Sequence, residues 1–330
     1  MPLSNAVIGA GRIGRIHARN IAEHAAARLA GVADVDTAAA KALAEACGAP
    51  AISVDEASTA DAVLIASPTP THADYIERAT AAGRAIFCEK PIDLAVDRVR
   101  ACLAAVGKSG VPLMIGFNRR FDEHFATLKR RMDGGEIGEL ELLTIISRDP
   151  APPPPAYVAT SGGLFRDMMI HDLDMARFML GEEPLTVHAA ASCLVDPSIA
   201  AAGDVDTAVV TLRTASGKLC QISNSRRATY GCDQRIEAHG SKGLLRVGNV
   251  TATTVELAAA AGFLSEPVLP FFLERYAAAY RAELDAFIIA VTSGIAPRPD
   301  GADGLRALLL ADAATRSAQT GQAVQLQPGA

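Results

Sequence analysis

The feature that most limits what this chain can fold into is Gly9-Ala10-Gly11-Arg12-Ile13-Gly14. It lies between a short apolar strand, Ala6–Ile8, and a helical pattern that runs to about Ala25. In that context Gly9 makes the tight turn, Gly11 lets the backbone approach a pyrophosphate, and Gly14 lets helix and strand pack closely. The N-terminus of the helix then faces the phosphates with its unbonded N–H groups. Alone, the motif is weak. Here a second strand, Ala27–Val32, ends at Asp34, twenty residues after Gly14. A carboxylate at that place accepts hydrogen bonds from the adenosine ribose hydroxyls. Together the two predict a dinucleotide site. Asp36 competes with Asp34 for this role, and a plain turn residue is the structural alternative. Asp34 favours NAD, because a carboxylate repels a 2′-phosphate. Arg12 works the other way if its guanidinium pairs with that phosphate, and is neutral if it contacts the pyrophosphate.

The α/β alternation continues with a helix over Asp36–Cys47, a short strand over Ala51–Val54 and a buried strand over Ala62–Ala66. Ser67-Pro68-Thr69-Pro70-Thr71-His72 follows at the carboxyl end of the sheet, where open α/β folds bind ligands. Its prolines stiffen the loop. Thr71 or His72 is placed to contact a cofactor, and a helix N-cap is an equal account of Thr71. After a helix over Ala73–Ala82 and a strand over Ala85–Cys88 come Glu89, Lys90 and Pro91. A lysine at the end of a buried strand can stabilise a developing alkoxide; the alternative is an ordinary exposed lysine. A helix over Leu94–Ser109 and a strand over Leu113–Phe117 lead to Asn118-Arg119-Arg120-Phe121-Asp122. There the arginines either orient hydroxyls or phosphate, or begin a solvated helix.

Beyond a helix at His124–Gly134 the pattern shifts to longer strands: Leu140–Ser147, Leu185–Leu194, Asp206–Thr214, Leu219–Ser225, Gln234–His239 and the shorter Leu244–Val247. Helices are expected over Phe271–Ile289 and Gly304–Thr320, and Pro150–Pro155 reads as a linker or surface loop. Within this half lies Gly162–Asp174, GGLFRDMMIHDLD. Asp167 and His171 are four residues apart, so a helix puts them on one face, within touching distance. A carboxylate beside an imidazole is a proton-transfer pair, because histidine titrates near neutral pH. The alternative is an amphipathic helix with a solvated charged face. Asp172 and Asp174 point to other faces, and a metal site needs three converging ligands. No metal is expected.

With 330 residues, two domains are expected, and half the residues are hydrophobic, enough for a sizeable core. A net charge of −6 argues against nucleic acid or an anionic membrane as the main partner. The six cysteines are scattered without a CxxC pair, as in a reducing compartment. MPLSNAVIGAG lacks a basic region followed by a long apolar run, so no signal peptide is expected. No stretch is long enough to span a bilayer. The expected location is cytoplasmic.

Four segments occur in order: GAGRIG near the start, FCEKP at 87–91, GFNRRFD at 116–122 and GGxFxDxxIHDxDxxR from Gly162 to Arg177. In this the chain closely resembles the glucose–fructose oxidoreductase/inositol dehydrogenase family, over nearly its whole length. The resemblance implies an α/β protein with an N-terminal Rossmann NAD-binding domain, residues 1–120. It also implies a C-terminal α+β domain, residues 121–330, with a large open, mainly antiparallel sheet. It implies Lys90, Asp167 and His171 as the catalytic set. Gly9, Gly11, Arg12, Ile13, Gly14, Asp34, Ser67, Pro68, Thr69, His72, Glu89 and Lys90 would lie at the cofactor. Asn118, Arg119 and Tyr230 join the catalytic set in contacting substrate, and Lys90-Pro91 is often cis. ISNSRRATYG at 222–231, EAHGSKG at 237–243 and FFLERYAAAYRAELDAF at 271–287 are most similar to members that oxidise myo-inositol at carbon 2. Siblings act on scyllo-inositol, glucose or other cyclic polyols, and some relatives are non-catalytic sensors. Cys232 stands where close relatives often carry a second Tyr. Members are often tetramers that pack their second-domain sheets together, so a homo-oligomer with a small polyol substrate is expected. His171 would then take the hydroxyl proton, Asp167 would orient it, Lys90 would stabilise the alkoxide, and NAD would accept the hydride.

Overall fold

The structure, a computed structural model, describes residues 1–327. The chain divides into two compact units. The first unit is Met1–Phe121 together with Ala279–Leu308. Its five strands are β1 (Leu3–Ile8), β2 (Ala27–Ala33), β3 (Ala62–Ile65), β4 (Ala85–Glu89) and β5 (Leu113–Gly116), all parallel, in the order β2-β1-β3-β4-β5. Helices cover both faces of such a sheet, so β1, β3, β4 and β5 are buried along their whole length, and apolar residues dominate them apart from Ser4 and Asn5 in β1 and Glu89 at the end of β4. The order turns between β1 and β3, and ligands of open α/β sheets bind at the carboxyl ends beside such a switch.

One local expectation fails here. Ala51 makes a single bridge to Val32, and Val54–Ala57 is a helical turn instead of a strand. Ser53 and Glu56 form a reciprocal capping box that starts that turn, and it overrides the short apolar run. Asp36 N-caps the helix Thr37–Ala46, accepting from the N–H groups of Ala38 and Ala39.

The observed division also differs from a single cut at 120/121, because Ala279–Leu308 returns to the first unit. The helix Ala277–Ser293 explains why. Its Leu284, Phe287 and Ile288 belong to the same buried cluster as Val7, Leu29, Leu64, Phe87 and Met114. The Phe87 and Phe287 rings meet edge-on with centroids 5.7 Å apart. The expected continuous helix from Phe271 is split into Phe272–Arg275 and Ala277–Ser293. Tyr276, between them, donates its hydroxyl to Gln234 at 3.0 Å.

The second unit is Asp122–Ala278 with Leu309–Ala330. Its main sheet has seven strands in the order β11-β10-β6-β9-β8-β7-β14. These are β6 (Leu140–Arg148), β7 (Pro184–Ser192), β8 (Thr207–Thr214), β9 (Leu219–Ser225), β10 (Asp233–Gly240), β11 (Gly243–Val247) and β14 (Val324–Gln325). All neighbours are antiparallel except β6 and β9. Along β8, Ala208, Val210 and Leu212 face in, while Val209, Thr211 and Arg213 face out. That alternation marks a sheet with one covered face. The helix Ile170–Leu180 packs on β6 and is buried on nearly every side, Asp172, Asp174 and Arg177 included. The reading of this segment as a helix with a solvated charged face is therefore excluded. Two strands unforeseen in the sequence, β12 (Glu256–Ala259) and β13 (Gly262–Ser265), form a separate hairpin. Among the described residues no helix is long and apolar enough to cross a membrane. All six cysteines are free, and burial pushes the Cys102 thiol up to about 12.

Candidate active site

The three glycines of the loop are required for different reasons. Gly9 has φ +113°, and a Cβ there would lie 2.5 Å from the carbonyl carbon of Ala66. A Cβ on Gly14 would lie 1.8 Å from the carbonyl oxygen of Gly9. Both are demanded by the fold. Around a Cβ added at Gly11 there is nothing within 4 Å. The helix Arg12–Glu23 begins there with no side-chain cap and no acid in its first turn. Its N–H groups and the positive end of its dipole are thus left to an anionic ligand. Asp34, just past β2, accepts from the Ala10 N–H at 2.6 Å and from the Asp36 N–H at 2.8 Å. Asp36 is used as a helix cap, which leaves Asp34 as the carboxylate held at the loop. These residues fit NAD: Gly9, Gly11, Arg12, Ile13 and Gly14 for the pyrophosphate, Asp34 for the adenosine ribose. When bound, NAD supplies the hydride acceptor.

At the ends of β3 and β4 the side chains brace the backbone. Thr69–Thr71 is a 3₁₀ turn. The Thr71 hydroxyl donates to the Pro68 carbonyl at 2.7 Å and lies 2.7 Å from the Ser67 hydroxyl. Thr71 therefore closes the loop and makes no side-chain cap on the helix His72–Ala81. His72 is buried, with Nδ1 2.7 Å from the Pro91 carbonyl and Nε2 2.7 Å from the Ser67 carbonyl. Burial pulls its pKa below the usual imidazole range, against the opposite pull of the two carbonyls. A neutral ring donates to one of them at a time. Glu89, the last residue of β4, lies 2.7 Å from Nε2 of His17. Lys90-Pro91 is cis. Lys90 thus sits between two anchored neighbours, Glu89 tied to His17 and Pro91 tied to His72. Asn118 and Arg119 are buried in the 3₁₀ turn Asn118–Phe121, whereas Arg120 pairs with Asp303 at 3.1 Å.

In the second unit Asp167 and His171 do not share one regular helix. Leu164–Met168 is a π turn, closed by the Met169 N–H on the Leu164 carbonyl at 2.8 Å, and the α-helix starts at Ile170. A wider turn changes the angle between the two side chains, and such turns are frequent at functional sites. Asp204 holds its start: its carboxylate accepts from the Leu164 N–H at 3.1 and 3.0 Å. A Cβ on Gly163 would lie 2.6 Å from Asp204. Asp167 accepts from the Tyr157 hydroxyl at 3.0 Å. Arg226, only 2% exposed, places Nη2 3.8 Å from Asp167 and 3.9 Å from Asp204. The buried guanidinium offsets both carboxylates. His171 is half-buried, and its neighbour Asp172 accepts from Asn224 on β9 at 3.0 Å, which pins the first turn of the helix to the sheet.

Tyr157, Asp204 and Arg226 were not singled out from the sequence. Among the described residues the one grouping with metal-ligand types and spacing is His17, Glu89 and Glu283, not the acids of the Asp167 segment. Tyr230 is exposed and donates to Asp233 at 2.6 Å, with Arg148 donating to it at 3.1 Å. Cys232 is 2% exposed, so this position contributes packing behind the turn.

Both parts of the chain have known relatives. The model of the oxidoreductase family with an NAD-binding Rossmann fold matches residues 3–117, and that of the GFO/IDH/MocA C-terminal domain matches residues 125–246. The inositol 2-dehydrogenase of Rhizobium meliloti is 54% identical over 94% of this chain and 95% of its own length. A crystal structure of a myo-inositol dehydrogenase from Corynebacterium glutamicum superposes with a TM-score of 0.95 at 47% identity, covering 100% of both chains. The scyllo-inositol dehydrogenase of Lactobacillus casei, solved with NAD(H) and scyllo-inositol, gives 0.90 at 29% identity, over 98% of this chain and 99% of that one. The glycine loop, the braced Lys90 and the Asp167–His171 segment thus lie in an NAD-binding oxidoreductase, and the chain belongs to the GFO/IDH/MocA family.

Proposed function

We propose that the protein oxidises myo-inositol at carbon 2 to 2-keto-myo-inositol (scyllo-inosose), with NAD as the hydride acceptor. The observation that carries this reading is the 54% identity to an inositol 2-dehydrogenase along nearly the full length of both chains. Removing hydride from a secondary alcohol requires its hydroxyl proton to leave as well. His171 takes that proton as general base, Asp167 orients the imidazole or the hydroxyl, and Lys90 stabilises the alkoxide. Asn118, Arg119 and Tyr230 orient the remaining hydroxyls of the polyol.

The test is a panel of myo-inositol, scyllo-inositol and glucose, each with NAD and NADP, followed by absorbance of the reduced cofactor. The highest kcat/KM is expected for myo-inositol with NAD. A second reading is scyllo-inositol, favoured by the Lactobacillus casei neighbour; a larger kcat/KM for that isomer would select it. Turnover of no polyol by a protein that still binds NAD would indicate a sensor. The outward face of the seven-stranded sheet, with Leu142, Val209, Leu219 and Leu244 all more than 40% exposed, is the surface we assign to self-association. A monomer by light scattering would remove that assignment.

A further inference from the structure

One enclosed polar group in the first unit includes a member, Glu283, that has no part in the chemistry above. His17 lies on the helix Arg12–Glu23, Glu89 at the end of β4 and Glu283 on the helix Ala277–Ser293. One nitrogen or oxygen from each lies within 4.8 Å of the others. His17 and Glu283 are 0% exposed and Glu89 is 8% exposed. Phe87 and Tyr280 stand edge-on to the imidazole, with centroids 5.1 and 5.7 Å away. Gly116, paired with Glu89 across β4 and β5, leaves the carboxylate its room: a Cβ there would lie 3.0 Å from Glu89 Oε2. His17 and Glu89 are in hydrogen-bond contact at 2.7 Å, whereas no donor among the described residues reaches either oxygen of Glu283, so only a proton of its own can join it to the neighbouring carboxylate.

Counting charge decides how such a group can exist. With both carboxylates ionised, even an imidazolium leaves one net negative charge in a buried site, on two like groups side by side. Two carboxylates sharing a site do not both ionise. A buried carboxyl with unbonded oxygens is far cheaper neutral than charged. A divalent cation would also balance the group, but the geometry opposes it. Bonds of 2.0–2.1 Å around zinc set neighbouring ligand atoms roughly 3.3 Å apart. His17 and Glu89 are already closer than that, at 2.7 Å.

We propose that Glu283 is a positioning residue that works as a neutral acid: it shares its proton with Glu89, and the closed His17–Glu89–Glu283 set fixes the strand end that carries Lys90. Its link to turnover rests on the catalytic reading of Lys90 given above. Burial, and then the nearby charge of Glu89, push the Glu283 carboxyl well above the ordinary carboxylate range. Glu89 and His17 are the titratable groups grouped with it, Tyr280 lies three residues before it on the same helix and against His17, and Lys90 follows Glu89 in the chain.

The test uses the full-length protein and the variants Glu283→Gln and Glu283→Leu, with Lys90→Met alongside. Glutamine has the shape of a protonated glutamate and keeps a donor for Glu89, so Glu283→Gln should keep kcat within about twofold of wild type. Leucine leaves Glu89 without that donor. A hydrogen bond to a charged group supports a kcat loss of roughly tenfold or more, with the Kd for NAD nearly unchanged. Difference infrared spectroscopy at neutral pH should show the carbonyl stretch of a protonated carboxyl in wild type and not in Glu283→Gln. This reading stands even if the leucine variant does not fold. Absence of the band, or an equal loss of kcat in the glutamine and leucine variants, would overturn the proposal. So would stoichiometric zinc or manganese in the purified protein that disappears in Glu283→Gln. If Lys90→Met turns over normally while the infrared band is present, the role of Lys90 fails and the neutral acid stands.

Discussion

The glycine loop of the first unit and the Asp167–His171 turn of the second are both rigid, for different reasons. At Gly9 and Gly14 rigidity comes from absent side chains: the backbones approach so closely that no Cβ fits. At Asp167 it comes from added ones: Tyr157 bonds the carboxylate, Arg226 lies behind it, and Asp204 holds the start of the turn. The first arrangement is a close approach of backbones that only glycine permits at positions 9 and 14. The second is assembled from distant parts of the chain, and each contributor can be weakened singly. The comparison teaches that the nucleotide end should respond to substitution all-or-none, and the chemical end by degrees.

The largest effect is expected at the chemical end. Replacing His171 by Ala should lower kcat by ~10²–10⁴-fold, the usual worth of a positioned general base, while the Kd for NAD stays near wild type. In wild type, oxidation should slow as pH falls and the imidazole becomes protonated. Near-normal turnover by His171→Ala on every accepted polyol would show that the second unit's site has been misread. Next comes Asp34→Ser. Losing the charged acceptor that we propose for the ribose, worth about 1.5–3 kcal/mol, should raise the NADP-to-NAD ratio of kcat/KM by roughly 10–100-fold. An unchanged ratio would mean that Asp34 serves only the Ala10 and Asp36 N–H groups.

The glycine pair tests the all-or-none claim directly. Gly14→Ala should give little soluble protein. Gly11→Ala, in open space and at an ordinary φ of −69°, should fold with a normal Tm and bind NAD more weakly. Equal behaviour of the two would erase the distinction between fold and ligand within the loop. The smallest effect belongs to Tyr157→Phe. One hydrogen bond of about 0.5–1.5 kcal/mol should alter kcat by a few-fold, with Tm nearly unchanged. A loss as large as that of His171→Ala would make Tyr157 part of the chemistry itself.

The two regions also differ in how legible they are in the sequence. The loop could be read because its determinants are contiguous: strand, glycines, helix and, one strand later, Asp34. The Asp167–His171 segment could be found but its shape could not. A π turn has no composition of its own, and the one here depends on Asp204, which lies far from it in the chain. Arg226 and Arg227 are adjacent and chemically identical, yet one is buried behind Asp167 and the other exposed. Only the course of the chain after β9 separates them. The same holds for the helix Ala277–Ser293, whose apolar pattern was visible but whose docking surface was not.

That returning helix bears on how the protein comes into being. The Rossmann sheet is the first part of the chain to be synthesised, yet its apolar face stays open until Leu284, Phe287 and Ile288 have left the ribosome. Domains otherwise tend to fold as units in the order they are made. Here the earliest strands wait through the synthesis of six of the seven strands of the mixed sheet, β6 to β11. A fragment ending at Phe121 would contain every glycine of the loop and Asp34, and still expose the Phe87 surface to water. The compact unit that carries the glycine loop is therefore a splice of two distant parts of the chain, Met1–Phe121 with Ala279–Leu308, and not the stretch that carries the motif alone.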